Sequence, residues 1–189
     1  MIEHYKGVMP SIAATAWVHD TAVVIGDVTL SDSVSVWPTA VLRGDVHRIE
    51  VGRRSNIQDG VIVHVAHQGP YQSGHPALIG EAVTVGHRAV VHACTIGDRV
   101  LVGMGATVLD GAVVDDEVII GAHTLVPPGK RLERGYLYLG SPARAVRALT
   151  DTEIEQLAYS AEHYTRLMAD YRDAGAALAS MDMDQGRVS

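Results

Sequence analysis

Between residues 12 and 126 the apolar positions follow neither the 3.6-residue spacing of a helix nor the strict alternation of an ordinary strand. They recur in sixes. Aliphatic side chains stand at Ile12, Val18, Val24, Leu30, Val36 and Leu42, and after a nine-residue step at Val51, Ile57 and Val63. After a sixteen-residue step the series resumes at Ile79, Val85, Val91, Ile96 and Val102, then runs through Val108, Val114 and Ile120 to Val126. A small or β-branched residue usually follows four positions later, as at Ala22, Val28, Val34, Ala40 and Ala106. Glycine often follows the aliphatic directly, as in Val51-Gly52, Val85-Gly86 and Val102-Gly103. Each hexapeptide therefore predicts a short strand with its aliphatic inward and a small residue easing the corner. Three hexapeptides close a triangular coil, and coils stack about 4.8 Å apart, so the series predicts about six coils. This is an all-β solenoid, a parallel β-helix.

Two insertions break the period, one around Val46-His47-Arg48 and one from Val65 to Leu78. Interruptions of a strict solenoid are where function concentrates. Pro127-Pro128-Gly129 reads as the stop of the prism, followed by an irregular link through Gly140-Ser141-Pro142. Thr150-Asp151-Thr152-Glu153 is a capping box, and Leu149 and Ile154 are spaced for a hydrophobic staple. Ile154, Leu157, Ala161, Tyr164, Leu167, Met168 and Tyr171 then keep one helical face. The expected organisation is a β-helix with its connecting segment over residues 1–149, a C-terminal α-helix over 150–181 packed on the prism, and a frayed tail over 182–189.

The composition fits that prism. The chain has 189 residues, 47% of them hydrophobic, with 19 Gly and no Phe. A narrow triangular core has room for one aliphatic per side and little for a large ring. The net charge is −7, and the segment from Thr150 onward carries eight acids and three bases, so −5 of it belongs to the helix and tail. An acidic balance argues against a nucleic-acid partner. No apolar run reaches the length of a membrane span, and the opening Met1-Ile2-Glu3-His4 has no signal-peptide pattern. A single Cys, Cys94, permits no internal disulfide, and a reducing cytoplasm is the simple inference.

Stacking also sorts the ten histidines. Three hexapeptides return the chain to the same face, so Leu42, Val63 and Val91 share one face. The residues after them are Arg43, His64 and His92. On a second face Ile57, Val85 and Val102 align, and two positions beyond each lie Asp59, His87 and Met104, with Gln58 beside Asp59. His64 and His92 on adjacent coils can converge on one cation, and zinc takes nitrogen ligands at about 2.0–2.1 Å in a tetrahedron. A catalytic site keeps three protein ligands and leaves the fourth position to water. His87 is the natural third ligand but lies on a neighbouring face. A homotrimer with its axis parallel to the prisms solves this, with His64 and His92 from one subunit and His87 from the next. His4, His19, His47, His123 and His163 read as surface decoration, and Cys94 as a buried or corner thiol rather than a ligand.

Arg43-Gly44-Asp45, then Asn56-Ile57-Gln58-Asp59-Gly60 with His64, then Val85-Gly86-His87 with His92, resemble the γ-class carbonic anhydrase family. Gly140-Ser141-Pro142-Ala143-Arg144 and Tyr159-Ser160-Ala161 resemble its bacterial members. The resemblance implies a left-handed β-helix, a homotrimer, and Zn2+ at the subunit interfaces, with Fe2+ or Co2+ as alternatives. It implies reversible hydration of carbon dioxide to bicarbonate by a metal-bound hydroxide. Gln58 would orient that hydroxide, Arg43, Asp45 and Asp59 would form a charged shell tying two subunits together, and Asn56 would help hold the loop. In the best-characterised members glutamates near the metal shuttle the proton. Here Val46 follows Asp45, and the position three beyond His64 is His67, so either His67 or Tyr159 would have to take over; His75 has no assigned role. Two other functions fit the same prism: acyl transfer or metal-dependent thioester hydrolysis on coenzyme A substrates, and a non-catalytic metal-binding trimer.

Overall fold

The computed structural model describes residues 1–71 and 73–185. The aliphatic series becomes three inward ladders in parallel register. The first face stacks Ile12, Leu30, Val51, Ile79, Ile96 and Val114. On the second, Val24, Leu42, Val63, Val91, Val108 and Val126 lie one above another. The third carries Val18, Val36, Ile57, Val85, Val102 and Ile120. From Val24 to Val126 each of these side chains is at most 4% exposed. Full burial of such a side chain stabilises by about 1.5–3 kcal/mol relative to exposure. The core is this column of aliphatics, narrow enough that no aromatic ring enters it below Tyr138.

The corners have a fixed conformation. At most corners one residue takes positive φ, including Arg54, Ala82, Arg99 and Glu117 along one edge. A non-glycine residue in this region costs about 1–3 kcal/mol. Stacking offsets it, because each such N–H donates to a carbonyl one coil below: Ala82 to Arg53 at 2.8 Å, Arg99 to Glu81 at 2.9 Å, Glu117 to Asp98 at 3.0 Å. On the same edge Glu117 is flanked by Arg99 and Arg134 at 2.7 and 2.6 Å. The hydrogen bond from Arg99 is the main reason its carboxyl stays below the usual range, with Arg134 adding to it against some burial.

The short insertion around Val46-His47-Arg48 is a bulge: Gly26 pairs with Gly44 and Val28 with Ile49, so residues 45–48 face Asp27 alone. It lies within one long strand, Val41–Val51, which rounds the corner between the first and second faces and joins them into a 12-stranded sheet. Three expectations are corrected. Pro127-Pro128-Gly129 does not stop the prism. The period runs on, with Leu132 stacked on Val114 and Tyr138 on Ile120. The third face has an eight-stranded sheet whose last strand, Arg144–Ala148, is antiparallel, leaving seven parallel strands and so seven coils rather than about six. The segment expected as an irregular link holds that strand and its partner Tyr136–Leu139, with Gly140-Ser141-Pro142 in the turn between them. The prolines fit where they are because Leu125–Val126 is the terminal strand of its face, where a missing N–H costs no ladder bond.

The longer insertion closes on itself through the reciprocal bonds of Ala66 and His75, 3.0 and 3.1 Å, and carries Tyr71, 98% exposed. The helix α1 spans Asp151–Gln185. Its capping box is formed: the Glu153 N–H donates to Thr150 Oγ1 at 3.2 Å and the Thr150 N–H to Glu153 Oε2 at 2.9 Å. The expected tail at 182–189 overlaps the end of α1, and residues 186–189 lie outside the described residues. Leu157, Ala161 and Met168 are buried. Tyr164 and Tyr171 stack edge-on against Trp37, and Tyr171 against Trp17, so α1 lies along the outside of the early coils of the third face. Among the described residues no helix is long and apolar enough to cross a membrane.

Candidate metal centre

Parallel register places Arg43, His64 and His92 in one column on the second face. His64 Nδ1 and His92 Nε2 face each other at 3.1 Å. Each ring turns its other nitrogen to a carboxylate, His64 Nε2 to Asp45 Oδ1 at 3.1 Å and His92 Nδ1 to Asp110 Oδ1 at 2.5 Å. A carboxylate there takes the ring N–H, so the two nitrogens that face each other are the ones presenting lone pairs. Two lone pairs at this distance suit a cation between them. With metal–nitrogen bonds of 2.0–2.1 Å, adjacent corners of a tetrahedron lie about 3.3 Å apart.

Electrostatics favours the ligating form. Burial first, then the charges of Arg43 and His92, hold the His64 pKa below that of an ordinary imidazole, against the pull of Asp45. Asp45 is opposed by burial, which alone would raise it. Hydrogen bonds and charge from Arg43 and His64 outweigh that and keep it below the usual carboxylate range. Arg43 binds the second oxygen of Asp45.

The third face carries the other half. His87 Nδ1 meets Asp59 Oδ2 at 2.9 Å, which leaves His87 Nε2 as the lone-pair nitrogen. Beside it Gln58 donates to Asn56 Oδ1 at 3.1 Å, and Asn56 donates to Thr84 Oγ1 at 3.1 Å. Thr84 Oγ1 in turn meets Ser160 Oγ of α1 at 3.0 Å. Asn56, Gln58 and Thr84 are all buried. Tyr164 also hydrogen-bonds Gln58. Burial and the charge of Asp59 nonetheless raise its pKa. A cavity of about 560 Å3 opens at this corner, lined by Asp59, His87, Arg88, Met104, Gly105 and His123.

The structure thus makes two groups of the sequence candidates. Arg43, Asp45, His64 and His92 meet on one face, and Asn56, Gln58, Asp59 and His87 on another. Among the described residues no three His, Cys, Asp or Glu of one chain converge as a metal site. Arg43 pairs with Asp45 within the chain, and Asp59 with His87. Tyr159 is 60% exposed and stacks on His163. Cys94 is buried, and burial followed by the charge of Asp110 pushes its thiol up to about 12, which suits a core residue. Asp110 is the residue that sequence reasoning missed; only the stacking of Val108 on Val91 brings it over His92.

Residues 93–128 match the model of the bacterial transferase hexapeptide, six repeats. Protein YrdA of Escherichia coli K12 is 52% identical over 176 residues, which covers 93% of this chain and 96% of that protein. Gamma carbonic anhydrase 1, mitochondrial, of Arabidopsis thaliana is 44% identical over 158 residues, 84% of this chain and 58% of the plant protein. The chain belongs to the γ-carbonic-anhydrase-like family of hexapeptide-repeat proteins. The backbone is also similar to that of a Bacillus cereus protein described as a putative acetyltransferase, with a TM-score of 0.87 and 34% identity over 92% of this chain and 97% of that one. In this γ-carbonic-anhydrase-like chain, Val46 beside Asp45 is 45% exposed and brings no carboxylate to the face of His64 and His92.

Proposed function

We propose that the protein is a homotrimeric, zinc-dependent carbonic anhydrase that hydrates carbon dioxide reversibly to bicarbonate at its subunit interfaces. One observation carries the reading: His64, His92 and His87 each turn one ring nitrogen to their own carboxylate and leave the other as a lone pair, yet they stand on two faces of one chain. Closed threefold symmetry brings those faces together and repeats the site three times. The outward residues beside the histidine column support such packing. Val23, Val41, Ile62 and Val90 stack there, an apolar stripe that a partner would cover, with Thr107 and then Leu125 above it.

When bound, the metal supplies a Lewis acid that lowers the pKa of a water toward about 7. The protein's share is to position. Asp45, Asp110 and Asp59 fix the imidazole tautomers. Gln58, clamped by Asn56 and Tyr164, offers a fixed amide to an oxygen at the site. Arg43 neutralises Asp45 and keeps it ionised. Zn2+ is the metal the three-nitrogen donor set fits first, with Fe2+ and Co2+ as alternatives. A buried, unpaired Cys94 is consistent with a reducing, cytoplasmic location.

The test is metal content and stopped-flow hydration for wild type and His92→Ala. One metal per subunit and hydration in the wild type, both lost in the variant, are expected; a wild-type trimer that binds no metal would refute the reading. The description of the Bacillus cereus relative as a putative acetyltransferase favours a second function, acyl transfer or thioester hydrolysis with coenzyme A substrates. Release of coenzyme A from a thioester panel would establish it. Metal without either activity would leave a non-catalytic metal-binding trimer.

A further inference from the structure

We infer that His123 is the proton relay of this site, passing to solvent the proton that each hydration releases; the inference rests on the carbonic anhydrase reading. The corner beside His87 stacks Gly60, Arg88, Gly105 and His123, all at positive φ. Their amides donate down the stack at 2.9 Å, Arg88 to Asp59, Gly105 to His87 and His123 to Met104. Side chains in this conformation lean back over the coil below. A Cβ on Gly60 would lie 3.4 Å from Arg88 Cγ, and one on Gly105 would lie 2.6 Å from Cε1 and Nδ1 of His123. The imidazole of His123 is therefore seated against Gly105, one coil above His87, in a place that only glycine leaves open.

From that seat it lines the same cavity as His87, Asp59, Arg88 and Met104. One coil is about 4.8 Å, a gap that a single water spans with two hydrogen bonds. The other charged groups facing it are unsuited to carrying protons. Arg88 does not deprotonate in proteins, and Asp59 is engaged by His87 at 2.9 Å. Imidazole takes a proton on one nitrogen and gives one from the other near neutral pH. His123 is exposed, so its outer side reaches bulk buffer. Carbon dioxide and water give bicarbonate and one proton. One ring nitrogen of His123 takes that proton, and the N–H of the other nitrogen is lost to a buffer base, which restores the neutral ring. This supplies the transfer for which Val46 and His67 offer no carboxylate. Neither His67 nor Tyr159 lines this cavity.

His123→Gly tests it on the zinc-loaded trimer, since glycine adopts φ near +56° freely and the corner is kept. At low buffer concentration kcat falls by about 10²-fold, kcat/KM for carbon dioxide is unchanged, and added imidazole restores kcat. In 15N-imidazole spectra of the wild type the His123 ring signals move when zinc is added to the apo-trimer. An unchanged kcat at low buffer, or a parallel loss of kcat and kcat/KM that imidazole does not restore, overturns the relay, as does a His123 signal indifferent to zinc. Failure of zinc-loaded wild type to hydrate carbon dioxide at all refutes the enzyme reading and the relay together, whereas activity untouched by His123→Gly refutes the relay alone.

Discussion

Asp110 offers the sharpest test of how the candidate ligands are held. Its Oδ1 lies 2.5 Å from His92 Nδ1, and among the described residues it has no other ion pair, unlike Asp45, which Arg43 shares. Removing a carboxylate that orients a ligating imidazole typically costs 10- to 100-fold in metal affinity, or about 1.4–2.8 kcal/mol. The two ends of that range separate by chemistry. In Asp110→Asn the amide oxygen still accepts the Nδ1 proton, so the tautomer survives and only the charge is lost, giving about a 10-fold loss. In Asp110→Ala the ring can rotate and change tautomer, giving about 100-fold. The assay is competitive zinc titration against a chromophoric chelator, with sedimentation confirming that the assembly persists. The main-chain carbonyl of Asp110 accepts from Gly129 at 2.9 Å in both variants, so the corner is retained. Unchanged zinc affinity in both variants would refute His92 as an oriented ligand.

Three further outcomes follow from the prism. A Cβ on Gly103 would lie 2.6 Å from the backbone of Ile120, Gly121 and Ala122, whereas one on Gly129 meets nothing within 4 Å; Gly103→Ala should therefore cost about 3 kcal/mol or more in chemical denaturation, and Gly129→Ala only about 1 kcal/mol for its φ. Equal losses would contradict the stacking distances. Glu153 is held at about 2, chiefly by Arg147 and then Thr150, against an ordinary 4.5. A lowered folded pKa stabilises above about 4.5 and is lost as pH falls toward 2, so Trp fluorescence should report α1 loosening over that interval, and Glu153→Gln should flatten the change. Finally, Cys94, pushed up to about 12 by burial, should not react with an aromatic disulfide at mildly alkaline pH until the chain unfolds; rapid labelling of the native protein would be inconsistent with its place in the core.

The period was legible because from Ile12 to Val126 each side of a triangular coil repeats its demand for one inward aliphatic. Ile12 through Val126 needed only counting, and the counting also set Arg43, His64 and His92 in one column. What failed did so for physical reasons. The two prolines read as an ending because proline removes a donor, but on the last strand of a face no partner waits for that donor. Tyr138 closes the third ladder as a ring where every earlier rung is aliphatic, so a search for aliphatics stops short of it. Asp110 sits two positions beyond Val108, outside the column that follows each aliphatic directly. The insertion at Val46, by contrast, was visible as a change of step, and it is the bulge by which residues 45–48 face Asp27 alone.

A solenoid is close to a one-dimensional stack, in which each coil touches its neighbours and can peel away from an end. The helix α1 changes that here. It is the last element of the chain, yet it rests on Trp17 and Trp37 of the earliest coils and ties Ser160 to Thr84. The first coils cannot loosen without displacing the last segment, so the N-terminal end of the stack is latched by its own C-terminus. Pulled from its two ends, the molecule should yield first at that latch and then unreel coil by coil from the N-terminal side.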